Sequence, residues 1–207
     1  MLQLVRTSVI AIAVILIIIA IIVGLMFYRL TYEEKVTQTT GDIDAIVRSL
    51  VGNIPKNIEV SSNAFTQGST IPVMYTCDGE DVTPPLRWSS VEGAKYYAVI
   101  VVDPDAPKGI FIHWIIYNIP NSITSLKANI PKEQVVHGLG FQSLNDFGKV
   151  GYGGPCPPHG SKHRYIFIVV ALKDVVTVGP GSSPLETLKN IRELAISYGF
   201  IYAYYSR

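Results

Sequence analysis

Hydrophobic residues fall along the chain in three regimes. From Thr7 to Tyr28, TSVIAIAVILIIIAIIVGLMFY carries no charge. At about 1.5 Å per residue, a helix of that length reaches the roughly 30 Å of a bilayer core. Residues 29–57 are polar around one weakly amphipathic stretch, Ile43–Val51, and read as a stalk with one short helix. From Ile58 onward the apolar residues come in short runs broken by turns. KYYAVIVVD (95–103), FIHWIIYNI (111–119) and RYIFIVVAL (164–172) are rich in β-branched and aromatic residues and predict strands. Shorter strands are expected at Ile58–Val60, Val73–Tyr75, Leu86–Ser89 and Tyr202–Tyr205.

One helix is signalled in SSPLETLKNIRELAISYG. Ser183 and Glu186 have capping-box spacing, Pro184 suits the first helical position and Gly199 suits the stop. Leu188, Ile191, Ala195 and Tyr198 would then share one face. Many short strands with a late helix predict a mainly β protein, an antiparallel β-sandwich with peripheral helices, preceded by one transmembrane helix. The expected division is a short flank at 1–6, an anchor at 7–28, a polar stalk at 29–57 and a folded domain at 58–207.

The exit of the apolar segment, Gly24-Leu25-Met26-Phe27-Tyr28 followed by Arg29, lacks the small residues of a cleavage site, so the segment reads as an uncleaved anchor. A short leader before a large domain is the shape of an exported protein, which puts the domain outside the cytoplasm. The lysine and arginine flanks vote only weakly on orientation. A formal net charge of +1 supplies no basic face for phosphate neutralisation, which argues against nucleic acid as a partner. The two cysteines, Cys77 and Cys156, are either a disulfide or two small buried thiols.

Familiar catalytic strings, including GxSxG, HExxH and GxGxxG, are missing. Polar residues instead cluster at the ends of apolar strands: Asp103 and Asp105 in VVDPDAP, His113 in FIHWIIYN, and His163, Arg164 and Tyr165. Between them runs GYGGPCPPHG, with four glycines and three prolines. Such a loop can turn its N–H groups inward as an oxyanion nest, with prolines stiffening it. His113 alone reads equally well as a core histidine bonded to a carbonyl. His159 and His163 have metal-ligand spacing, but a proline-rich loop is not the helix such a pair needs, so neither metal nor cofactor is expected.

YTCDGEDVTPPLRWSS, VVDPDAPKGIFIHWIIYNIP and NDFGKVGYGGPCPPHGSKHRYIFIVVAL occur in that order. Together they resemble the phosphatidylethanolamine-binding protein family, in its bacterial and archaeal Raf-kinase-inhibitor-like branch. The resemblance implies a β-sandwich with a small anion pocket lined by Asp103, His113, Gly154, Pro155, His163 and Tyr165, with Arg164 as a structural partner for Asp105. Cys77 and Cys156 flank two matched segments, where a disulfide would clamp the rim if their Cα atoms lie within about 7 Å. Two imidazoles beside a carboxylate are expected to titrate around neutrality, so that anion affinity falls as pH rises.

The leading functional expectation is a membrane-anchored, non-enzymatic binding module for a small phosphorylated or otherwise anionic group, on a lipid headgroup, a nucleotide or a phosphoprotein. The alternative is a protein–protein regulator such as a serine-protease inhibitor. A hydrolase-like enzyme comes third, using Asp103 with His163 as an acid–base pair or Cys156 with His159 as a nucleophile pair.

Overall fold

The computed structural model describes residues 2–207, with the side chains of residues 2–14 and 35–41 left aside. Met1 of the expected 1–6 flank lies outside the described residues. The chain divides into two compact units, Met1–Ala45 and Ile46–Arg207.

Helix α1 runs unbroken from Leu2 to Val51. The stretch 29–51 is therefore helical throughout, not a stalk bearing one short helix. It contains no proline, and its stop comes at Gly52, whose φ of +95° suits a residue without Cβ. Within α1, Ile15–Glu34 has a mean hydropathy of 2.3 and is long and apolar enough to cross a membrane.

The second unit is built on two antiparallel sheets. The smaller joins β1 (Val60–Ser61), β2 (Leu86–Trp88) and β5 (Ser125–Leu126) in the order β1-β2-β5. The larger uses β3 (Tyr96–Asp103), β4 (Phe111–Pro120), β6 (Val135–Val136) and β7 (Gly140–Gln142). Two long strands complete it, β8 (Lys162–Leu172) and β9 (Ala195–Ser206), and the order is β6-β7-β4-β3-β8-β9. Between the sheets lies one core, in which Trp88, Leu86 and Leu126 meet Tyr97, Val101, Trp114 and Phe167.

The long strands do not alternate apolar with polar residues because both faces of the large sheet are covered. Ala98, Ile100, Ile168 and Val170, on the face away from that core, are fully buried as well. Helix α2 (Pro184–Leu194) packs against β4 and β8, and Val47 and Val51 of the last turns of α1 are also fully buried. Strands covered on both faces read as continuous hydrophobic runs.

Two elements differ from expectation. The helix after Ser183 begins as predicted, with Ser183 Oγ accepting from the Glu186 N–H and Pro184 in the first turn, but it ends at Leu194. Residues Ala195–Ser206 pair with β8 along its whole length, from Leu172↔Ala195 to Lys162↔Ser206. Eleven successive tertiary pairings outweigh a helical pattern extended only by Ala195 and Tyr198. Gly199 is thus no helix stop. A Cβ there would strike the carbonyl of Ile58, whose N–H donates to Tyr198 O at 3.2 Å. Val73–Tyr75, in turn, is a single 3-10 turn and not a strand, closed by Tyr75 N–H to Pro72 O and Thr76 N–H to Val73 O, both 3.0 Å.

Candidate anion-binding site

The polar cluster gathers at one end of the large sheet. Asp103 is the last residue of β3, and its Oδ1 accepts the Asp105 N–H at 2.8 Å, which folds the D-P-D turn back on itself. Its Oδ2 lies 2.7 Å from Nδ1 of His163, near the start of β8. Asp105 takes the neighbouring residue: its carboxylate accepts from the Arg164 N–H at 2.8 Å, from Nε at 2.9 Å and from Nη2 at 2.6 Å. The two motifs therefore interlock, aspartate to histidine inside and aspartate to arginine at the rim. Burial resists ionisation of Asp105, but the hydrogen bonds and charge of Arg164 outweigh it and hold the carboxyl below its ordinary range.

His113 enters through a bulge. Val101 pairs with Trp114 and Val102 with Ile112, which leaves His113 as the extra residue on β4. A bulge re-aims the side chain it carries. Here it brings the imidazole edge-on to Tyr165, with ring centroids 5.2 Å apart, and to Phe147 at 5.3 Å. Its Nδ1 lies 2.6 Å from Gly153 O. His113 is thus a core histidine bonded to a carbonyl, and it packs against Tyr165 of the polar cluster. Burial lowers the His113 pKa below its ordinary 6.5; the Gly153 carbonyl and the charges of Asp103 and Asp146 oppose the shift without cancelling it. The expectation of an imidazole poised around neutrality is thus shifted downward for His113, because desolvation disfavours its charged form.

The cluster is closely packed. Asp103, His113, His163 and Tyr165 retain only 4, 3, 7 and 0% of their exposure. Tyr165 Oη is buried without a hydrogen-bond partner of good geometry. That burial, and then the Asp103 charge, push its pKa well above 10.

The glycine-proline loop is a wall, but not a nest. Gly153 N–H donates to His113 O at 3.0 Å and Gly154 N–H to Asp81 Oδ1 at 2.6 Å, so neither is offered to a ligand. The Pro155 carbonyl accepts the Cys77 N–H at 3.1 Å. Cys77 and Cys156 form a disulfide with Cα atoms 5.4 Å apart, joining this loop to the segment after the 3-10 turn. A bonded Cys156 has no thiol, which removes the Cys156–His159 nucleophile pair. Among the described residues no three histidine, cysteine or acidic side chains converge as a metal site.

Several contributors escaped the sequence reading. Asp81, held at a φ of +54°, bridges Gly154 N–H and Lys132 Nζ, the latter at 2.6 Å. Asn145 shapes the next turn by accepting from Phe147 N–H and donating to Gly151 O. The acidic turn CDGED and the turn NDFG were the available signals. A cleft of about 560 Å³ opens between Lys132, Phe147, Lys149, Gly154 and Cys156. The four clustered side chains do not line it; it meets them through Phe147 and Gly153, both of which touch His113. The tyrosine-rich C-terminal stretch lies in β9, where Tyr205 stands opposite His163 and donates to Asp78 Oδ2 at 2.7 Å.

Two antiparallel sheets thus carry an Asp–His pair and a second imidazole at one end. The profile of the phosphatidylethanolamine-binding protein family matches residues 61–206. The chain belongs to that family, among its prokaryotic members. A UPF0098 protein of Aquifex aeolicus is 42% identical over 153 residues, covering 72% of this chain and 89% of the relative. A Mycobacterium tuberculosis protein named as a lipoprotein, LppC, is 36% identical over 140 residues, 67% of each chain. The crystal structure of Escherichia coli YbcL, described as a member of the mammalian PEBP family, aligns with a TM-score of 0.68 at 33% identity, over 72% of this chain and 98% of that one.

Proposed function

We propose that this chain is a membrane-anchored binding module, not an enzyme, and that it holds a small phosphorylated or otherwise anionic group against His113 and His163. The observation that carries this reading is the buried Asp103–His163 pair at 2.7 Å beside the Tyr165 hydroxyl, which has no hydrogen-bond partner of good geometry. Burying a carboxylate beside an imidazole and a poorly satisfied hydroxyl at a sheet end costs stability, a cost that a site for a polar ligand accounts for. The family likeness supports a ligand of the phosphate-bearing class, whether a lipid headgroup, a nucleotide or a phosphoprotein.

The apolar helix Ile15–Glu34 supports the anchor, as does the likeness to a relative named as a lipoprotein. The Cys77–Cys156 disulfide supports an oxidising compartment, hence a domain on the outer side of the membrane. The test is calorimetric titration of the full chain in detergent micelles with inorganic phosphate and phosphoethanolamine. Binding is expected in the parent and lost in His163→Ala. Absence of binding in the parent, or undiminished binding in the variant, would sink the proposal.

A further inference from the structure

The cleft of about 560 Å³ beside the polar cluster has walls set by close backbone approach, and its size is that of a small-molecule site. A Cβ on Gly151 would fall 2.9 Å from the Lys132 Cα, and one on Gly153 would fall 2.7 Å from the Phe147 ring. Any side chain at either position would push the loop off the segments that carry Lys132 and Phe147. Tyr152, also in the lining, is fixed by its hydroxyl, which donates to Tyr75 O at 2.9 Å. The Cys77–Cys156 disulfide forms a further part of the wall. Walls held this way are shaped before a ligand arrives, which lowers the ordering cost of binding.

The lining is mostly apolar, with a few charges set into it. Phe147 remains 44% exposed although Phe111 and His113 pack against its ring. Val150 and Tyr152 add apolar surface. The charges do not balance. Asp81 is engaged twice, by Lys132 Nζ and by the Gly154 N–H, both at 2.6 Å. Asp146, nearby in sequence, accepts the Ile112 N–H at 2.6 Å. The Lys149 ammonium has no hydrogen-bonding or acidic partner among the described residues. One cation is therefore left over among apolar walls.

We infer that this cleft is a ligand site in its own right, for a small molecule with an apolar body and a single carboxylate: the body lies against Phe147, Val150 and Tyr152, and the carboxylate meets Lys149. None of Asp103, His113, His163 and Tyr165 lines the cleft, so the site stands apart from the phosphate reading above. A phosphomonoester dianion would find one spare cation for two charges. An apolar cation would meet Lys149 as a like charge.

The experiment titrates the full chain in nonionic detergent micelles at pH 7 with three probes of one shape: naphthoate, naphthamide and naphthylmethylammonium. Amide chemical shifts of Val150 and Gly153 report occupancy of the cleft. Comparing parent with Lys149→Gln, probe by probe, cancels partition into the micelle. Naphthoate is expected to bind at the cleft and to lose about threefold to tenfold in affinity in Lys149→Gln, the worth of one partly exposed charge-assisted contact. Lys149→Arg should restore it. Naphthamide should bind parent and Lys149→Gln equally, and naphthylmethylammonium should bind Lys149→Gln the better of the two. Gly153→Ala, which drives a methyl group into the Phe147 ring, should weaken naphthoate and naphthamide alike. Naphthoate affinity unchanged by Lys149→Gln would overturn the charge pairing, and shifts absent from Val150 and Gly153 would overturn the site. His163→Ala, expected to lose phosphate, should keep naphthoate; loss of both would merge the cleft with the phosphate site and overturn its independence.

Discussion

The Cys77–Cys156 bond joins residues 79 positions apart in sequence. In the chain-entropy account, closing a loop of that length removes about 15 cal/mol/K from the unfolded ensemble, or about 4.5 kcal/mol at room temperature. Three native contacts already hold the same segments together: Cys77 N–H to Pro155 O at 3.1 Å, Gly154 N–H to Asp81 at 2.6 Å and Tyr152 Oη to Tyr75 O at 2.9 Å. The double variant Cys77→Ser/Cys156→Ser should therefore keep the folded geometry and lose stability through its unfolded state. For a domain near 150 residues, each kcal/mol shifts the melting midpoint by about 2–4 °C, which makes the expected drop roughly 9–18 °C.

Both tryptophans, Trp88 and Trp114, are buried in the sheet domain, so tryptophan fluorescence, excited selectively over tyrosine, reports that unit. Urea titration should give a lower midpoint in the double variant together with a steeper slope, because the freed unfolded chain exposes more surface. Amide shifts of Gly153 and Gly154 should stay close to their parent positions. An unchanged melting midpoint would refute the entropic reasoning. A lowered midpoint with scattered shifts around the loop would refute its second half, and would mean that the bond shapes the native rim.

Two further outcomes follow from packing and from charge. Gly199→Ala puts a methyl group onto the Ile58 carbonyl, a backbone atom that cannot rotate away, and should cost about 1–3 kcal/mol or more by urea denaturation; a variant within about 0.5 kcal/mol of the parent would show that the strand can shift. His113, with its folded pKa lowered from 6.5 by burial, binds fewer protons folded than unfolded below that pH, so its contribution to stability is complete above about 6.5 and declines as pH falls toward the folded value. Urea midpoints between pH 7.5 and 5 should fall more steeply in the parent than in His113→Gln, and identical slopes would mean that His113 does not titrate as described.

How far the sequence spoke depended on where each signal lived. The strands around Asp103, His113 and His163 were legible because their apolar runs are long and bounded by turn residues. Ala195–Tyr198 was misread because a good N-cap at Ser183 launches a helical pattern that tertiary pairing with β8 then cuts short. On composition the glycine-proline loop reads as a donor nest. What composition could not reveal was Asp81, more than seventy residues earlier in the chain, arriving to take the Gly154 N–H for itself. The bulge at His113 is likewise a matter of register between two strands and leaves no mark in the string FIHWIIYN.

That occupied loop changes how the site must work. A nest of backbone N–H groups binds any oxyanion of suitable size, since amide donors cannot change their protonation and do not ask whether the guest carries a proton. With Gly153 and Gly154 engaged, the proposed site would have to meet its ligand with side chains, and these are held from behind by a carbonyl for His113 and a carboxylate for His163. The two rings therefore rest on different supports, one neutral and one charged. The loop that carries Gly153 is held by a disulfide and stiffened by proline, and the turn that carries Asp103 is fixed to β8 by the Asp105–Arg164 pair.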